Sequence, residues 1–156
     1  MLSRARNRTR GFQKERELVR RLWSMGFACI RGPASGAKAK LFVQPDVVAI
    51  RNGYVLVIEV KTRKKGGAVY VEKEQVEKLR EWSRRAGPKS LPLIAVYVNK
   101  DLGWRFVPLD RTTPTKKGNI RIDLRVLSAC PDLLALKILT EPVVRKLDTF
   151  IDPDNH

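Results

Sequence analysis

The chain has 156 residues, a length that suits one domain, and its apolar fraction of 43% is ordinary for a folded protein. Its charge is not ordinary: 32 Lys and Arg against 16 Asp and Glu leave a formal net charge of +16, and self-repulsion of that size points to a polyanionic partner, nucleic acid ahead of an anionic membrane. No apolar run approaches the ~20 residues of a membrane span. No helix pattern is both basic and broadly aromatic, and no apolar segment follows the basic N-terminus as in a signal peptide, so the expectation is a cytoplasmic, nucleoid-associated protein with no membrane contact.

In chain order, Arg4, Arg6, Arg8 and Arg10 sit among almost no apolar residues, which predicts a flexible basic arm over residues 1–10. Extended, those arginines share one side suited to phosphates; a solvated tail is the bland alternative. Residues 12–25 read as a helix, with Phe12, Leu18, Leu22 and Met25 on one face, Val19 and Trp23 widening it, and Gly26 ending it. A short strand follows over Phe27–Arg31. Residues 32–44 form a Gly/Ala/Ser/Lys loop of 13 residues, long enough to suggest function.

Asn52-Gly53 is a strong hairpin signal and joins strands at 46–50 and 54–61. Residues 62–67 form a basic loop, and Val69–Val71 a short extended piece. A second helix spans 72–86 with Val76, Leu79, Trp82 and Ala86 inward and Glu74–Lys78 as an i,i+4 pair; Gly87-Pro88 stops it. Strands follow at 93–98 and 104–108. Beyond Asp110, alternation at Ile120, Ile122, Leu124 and Val126 suggests an edge strand, and 133–147 a helix that Pro142 breaks or kinks. The order predicts an α/β fold, a sheet with helices packed on it. Cys29 and Cys130 match no zinc spacing and read as buried, reduced thiols. The three tryptophans read as core or interface residues.

The chemistry concentrates at Pro45-Asp46 and Glu59-Val60-Lys61. The run Val55–Ile58 is apolar on both faces, as in a central strand, and period two places Glu59 and Lys61 on one face of it. A hairpin turning at 52–53 pairs residues whose numbers sum to about 105, so Asp46 falls opposite Glu59. Two facing carboxylates repel unless a divalent cation lies between them, and Mg²⁺ accepts such open oxygen sites when it also binds phosphate. Lys61 beside them suits stabilisation of charge on a phosphodiester. A Pro-Asp turn beside a Glu–Lys ion pair is the purely structural alternative.

This pattern resembles the PD-(D/E)xK nuclease superfamily. Its flanks, Lys14–Leu18, Gly26–Ala28, Ile30-Arg31, Ser35-Gly36, Glu81–Arg85 and Gly103–Phe106, resemble archaeal Holliday junction resolvases over roughly residues 11–108. The resemblance implies a restriction-endonuclease-like mixed central β-sheet flanked by helices. Residues 11–110 are expected to form a nuclease domain; the resemblance stops there, and 111–156 are expected to be a C-terminal extension packed on the same domain. The implied activity is metal-dependent paired nicking of four-way (Holliday) junctions, with Mg²⁺ or Mn²⁺ as cofactor, branched DNA as substrate and a homodimer, joined in part near Trp82, as the working form.

Residue by residue, the resemblance makes Asp46 and Glu59 metal ligands with the Val60 carbonyl, Lys61 the catalytic lysine, Glu15 a further catalytic and metal-binding carboxylate, and Ser35 a catalytic-loop serine. Arg16 and Arg31 match basic positions used for DNA or active-site support. Lys38, Lys40, Arg63, Lys64 and Lys65 read as DNA contacts; a solvated charge run is the alternative for the last three. Within the first helix, Glu17 has Arg21 at i+4 whereas Glu15 faces Val19, leaving Glu15 for another task. Gln75 either reaches the site from the second helix or is a solvated helix position. A catalytically silent DNA-binding module is the competing reading of the whole chain.

Overall fold

A computed structural model describes residues 2–32, 44–63 and 66–142. Its elements are α1 (Leu2–Ser24), β1 (Ala28–Arg31), β2 (Val47–Arg51), β3 (Tyr54–Thr62), β4 (Val69–Val71), α2 (Lys73–Ala86), β5 (Ser90–Tyr97), β6 (Trp104–Pro108), β7 (Ile120–Ile122), α3 (Leu124–Ala129) and α4 (Leu133–Leu139). Five strands form one sheet in the order β1-β2-β3-β5-β6, and β4 pairs with β7 in a second, two-stranded sheet. Only β3 and β5 run parallel in the large sheet, with α2 in the connection between them, so it is the mixed sheet flanked by helices that the resemblance implies.

Alternation along each strand divides the core in two. Leu56 and Ile58 face Leu18 and Leu22 of α1 and Leu133 and Leu136 of α4. Val57, Ile94 and Val96 face Val76 and Leu79 of α2, Leu127 of α3 and the small sheet. Strand β3 is thus covered on both sides, as its apolar run requires.

The hairpin register is the expected one: Val47 pairs with Ile58 and Arg51 with Tyr54. Asn52 and Gly53 take positive φ of 51° and 81°, the mirror-image turn whose twist matches the strands.

Three expectations need correction. Residues 2–10 are not an extended arm but the first turns of α1; Leu, Ala and Arg are good helix formers and no proline interrupts them. The alternation over 120–126 does not make one strand, because the Asp123 side chain accepts from Val126 N–H and caps α3, so β7 ends at Ile122. Asp132 caps α4 in the same way, and that helix stops at Leu139, ahead of Pro142. Within α2, Ala86 is exposed, and Trp23 of α1 is 66% exposed whereas Trp104 is buried. The two free cysteines are half-buried.

Arg51 ties the hairpin to α4. Its guanidinium donates to Lys137 O at 2.9 Å, Thr140 Oγ1 at 3.1 Å and Glu141 Oε1 at 2.9 Å, while Asn52 donates to Thr140 O at 2.8 Å. Among the described residues no helix is long and apolar enough to cross a membrane. Arg51→Ala removes all three guanidinium bonds, and we expect it to lower unfolding free energy by about 1–3 kcal/mol, read from urea melts; an unchanged midpoint would show that the tie adds nothing.

Candidate active site

The hairpin brings the two predicted carboxylates together. Asp46 immediately precedes β2, and its Oδ2 accepts from Val60 N–H at 2.8 Å. In an extended strand the N–H and C=O of a residue point to the same side, so the Val60 carbonyl also faces the Asp46 side, just past the last β2 pairing. Glu59 is 3% exposed. Its Oε1 accepts from Gln75 Nε2 at 3.0 Å and its Oε2 lies 3.0 Å from Lys78 Nζ. Lys61, two residues on, shares that face of β3 and its charge acts on Glu59.

Glu15 approaches from α1, the helix that covers the opposite face. Its Oε2 is 3.7 Å from Arg31 Nε, and Arg31 lies over the Phe12 ring, 5.7 Å from its centre. Burial pushes the Glu15 carboxyl from the usual 4.5 up to about 7; the Asp46 charge adds to the rise, while Arg31 opposes it. Glu59 is also raised, first by burial and then by Asp46, against the lowering effect of Lys78 and Lys61. The Asp46 charge therefore disfavours ionisation of both Glu15 and Glu59 at one end of the β2–β3 hairpin.

Such mutual repulsion among hard oxygen donors fits a divalent cation. Among the described residues, no set of three His, Cys, Asp or Glu side chains converges closely enough to hold a metal by itself. Asp46, which takes the Val60 N–H, and Glu59 are the oxygen donors nearest to such a set, with the charge of Asp46 acting on Glu59 and on Glu15. A cation held by so few protein donors would keep positions for water and a phosphate oxygen.

Gly32 sets how tightly this corner closes. Its N–H donates to Asp46 O at 2.8 Å, and a Cβ on it would lie 2.2 Å from Pro45 O. Only glycine lets β1 approach the Pro-Asp backbone so closely.

Of the other expected positions, Arg16 is exposed and its charge reaches Glu15, and Arg63 donates from Nε to Gly67 O at 2.9 Å, closing the basic loop on itself. Ser35, Lys38, Lys40, Lys64 and Lys65 lie outside the described residues. Gln75 reaches the site. Glu17 pairs with Lys14 at 3.1 Å rather than with Arg21. Lys78 was missed: the sequence pairs it with Glu74, whereas in the fold it turns inward to Glu59. Its signal was helical spacing, since Gln75 and Lys78 stand three apart and share a face.

A cavity of about 500 Å³ between the start of β5, the end of β6 and α4 is lined by Leu91, Leu93, Pro108, Leu136 and Leu139 among others, and none of the candidate residues lines it.

Residues 6–141 match the family model of the archaeal Holliday junction resolvases. The chain is 40% identical over 93% of its length to a crossover junction endodeoxyribonuclease of Sulfurisphaera tokodaii, 98% of which is covered. It is 38% identical, over 93% of the chain and 99% of the relative, to the one from Sulfolobus acidocaldarius. The structure of a Holliday junction resolvase from Archaeoglobus fulgidus superposes with a TM-score of 0.69 at 31% identity, covering 82% of this chain and 95% of that one. The likeness thus extends past residue 108, through α3 and α4.

Two outcomes follow from the geometry. Gly32→Ala must displace the Pro45–Asp46 backbone, and a shift near 1 Å is expected to cut turnover by roughly 10²-fold with the fold retained; undiminished cleavage by the folded variant would show that the close approach is dispensable. In metal-free protein the folded state holds the Glu15 proton more tightly than the unfolded chain does. That contribution is full below about pH 4.5 and is lost as pH rises through about 7. Glu15→Gln cannot ionise, so its thermal stability should fall less than the wild type's between roughly pH 5 and 8, with Glu17→Gln tracking the wild type; parallel profiles for all three would refute the assignment.

Proposed function

This chain belongs to the archaeal Holliday junction resolvase family, and from that premise we propose that it cuts four-way DNA junctions as a divalent-metal-dependent endonuclease through Asp46, Glu59 and Lys61. The observation that supports the site is the end of the hairpin, where Asp46 takes the N–H of Val60, between Glu59 and Lys61, and its charge acts on Glu59. As a crossover junction endodeoxyribonuclease the chain acts in DNA recombination and repair.

Asp46, Glu59 and the Val60 carbonyl would hold Mg²⁺, or Mn²⁺ in its place, with Glu15 close enough to share it. When bound, the ion supplies Lewis acidity toward a phosphoryl oxygen and a water made more acidic. The Lys61 ammonium stabilises the charge that builds on the phosphate. Gln75 fixes the Glu59 carboxylate by its 3.0 Å hydrogen bond, so the ligand does not have to be ordered at the moment of reaction. Arg31 of β1 holds Glu15 of α1 by their ion pair and favours its charged form against the effect of Asp46. Ser35, four residues after β1 in the sequence, is proposed to act on the reaction as well.

Substrate binding rests on the net charge of +16. Arg16, Arg31 and Arg63, with Lys38, Lys40, Lys64 and Lys65, are proposed phosphate contacts. They read backbone position and branched shape rather than base edges. Two copies related by a two-fold axis would place two such sites across a junction and nick strands of like polarity; the dimer, with the helix around Trp82 contributing, is part of this proposal.

Labelled four-way junction and matched linear duplex, each incubated with Mg²⁺ or with chelator, test the reading. We expect symmetric nicks in the junction only, and only with metal. Asp46→Asn should bind the junction as the wild type does and cleave it more than about 10²-fold more slowly. Junction bound but never cut with any divalent ion would instead make the chain a DNA-binding module, and equal cutting of linear duplex would remove the junction specificity.

A further inference from the structure

The carboxylate cluster carries its own cations. Arg31 sits against Glu15 at 3.7 Å, Lys61 acts on Glu59 along β3, and Lys78 reaches Glu59 from α2 at 3.0 Å. The Lys78 side chain is only 13% exposed and that of Glu59 4%. A lysine can usually leave its ammonium in water; here the chain is turned inward instead, although the surface of α2 offers Glu74 one turn away. A buried pair of this kind repays its desolvation only through close geometry, which the 3.0 Å contact provides.

We propose that Lys78 is a tethered counter-ion of the metal centre: its ammonium neutralises Glu59 while the site is empty and competes with the divalent ion for that carboxylate, so that it sets the metal affinity. The inference rests on the metal-centre reading given above. Lys78 touches neither substrate nor reacting atoms and is a positioning residue. Oε1 of Glu59 is already held by Gln75 at 3.0 Å, so exchange of cation at Oε2 need not reorient the carboxylate. An internal cation lets a buried acidic strand fold before metal arrives, at the cost of weaker metal binding.

The test uses the full chain and Mn²⁺ as probe, with affinity measured by calorimetry and metal-induced stabilisation by thermal melts. Lys78→Met should melt lower than the wild type without metal, bind Mn²⁺ about tenfold more tightly because the competing charge is gone, and gain more on adding it. Lys78→Arg, which keeps the charge, should return affinity toward the wild-type value. Equal or weaker Mn²⁺ binding by folded Lys78→Met would overturn the counter-ion role, since a lysine needed only for packing gives loss of stability without tighter binding. Should Lys78→Met not fold, ¹⁵N-lysine spectra of the wild type decide: the Lys78 ammonium signal should shift with Mg²⁺ at the midpoint of binding, and a signal indifferent to Mg²⁺ would overturn the proposal. Absence of Mn²⁺ binding by every protein, wild type included, would fall on the metal centre itself, and the counter-ion role would fall with it.

Discussion

A carboxylate buried in the middle of a sheet is the constraint around which this molecule is arranged. Glu59 lies on β3, the central strand, with both neighbours paired and both faces covered. Water cannot solvate it, and a buried ionised carboxylate without partners is far too costly to keep. The fold answers from two directions. The β3–β5 crossover lays α2 over that face, and one helix turn supplies both an amide and an ammonium. The hairpin sets Asp46 on the other flank, which raises the electrostatic cost rather than lowering it. A structure that places a second acid there works against its own stability, and such conflicts are characteristic of sites shaped for chemistry.

The geometry of that corner depends on where β2 stops. The pairing of β2 with β3 ends at Val47–Ile58, while β3 continues to Thr62 alongside β5. The overhang exposes the Val60 backbone on the side β2 has vacated, and Asp46 turns to take its N–H. Gly32 permits the edge strand to close on the Pro-Asp backbone, and Arg31 before it reaches Glu15 on α1. Four elements thus meet at one corner, while the apolar cavity near α4 lies elsewhere in the molecule. The charge that would hinder folding of an isolated chain is what a polyphosphate substrate requires.

The C-terminal segment shows how local capping outranks pattern. Ile120 and Ile122 enter the core beside β4, yet the alternation that continues through Leu124 and Val126 has no structural meaning once Asp123 caps a helix. Leu133 and Leu136 then fill the α1 face of the sheet, and Arg51 fastens α4 to the hairpin turn. Helices α1 and α4 thus close over the same face of the sheet.

The sequence by itself determined the hairpin, its register and the facing of Asp46 and Glu59, because these follow from an Asn-Gly turn and from period two, both local rules. It also determined the nuclease family, through motifs spaced along the chain. The length of α1 was misjudged because arginine density suggests a solvated tail as readily as a helix, and single-residue composition does not separate them. The partners of Glu59 were beyond local reading. Lys78 has an acidic neighbour within its own helix, so spacing favours Glu74, and only the packing of α2 on β3 decides that it turns inward. The raised pKa of Glu15 and the close approach at Gly32 are likewise tertiary, since each depends on burial and charge brought from strands or helices that lie apart in the chain.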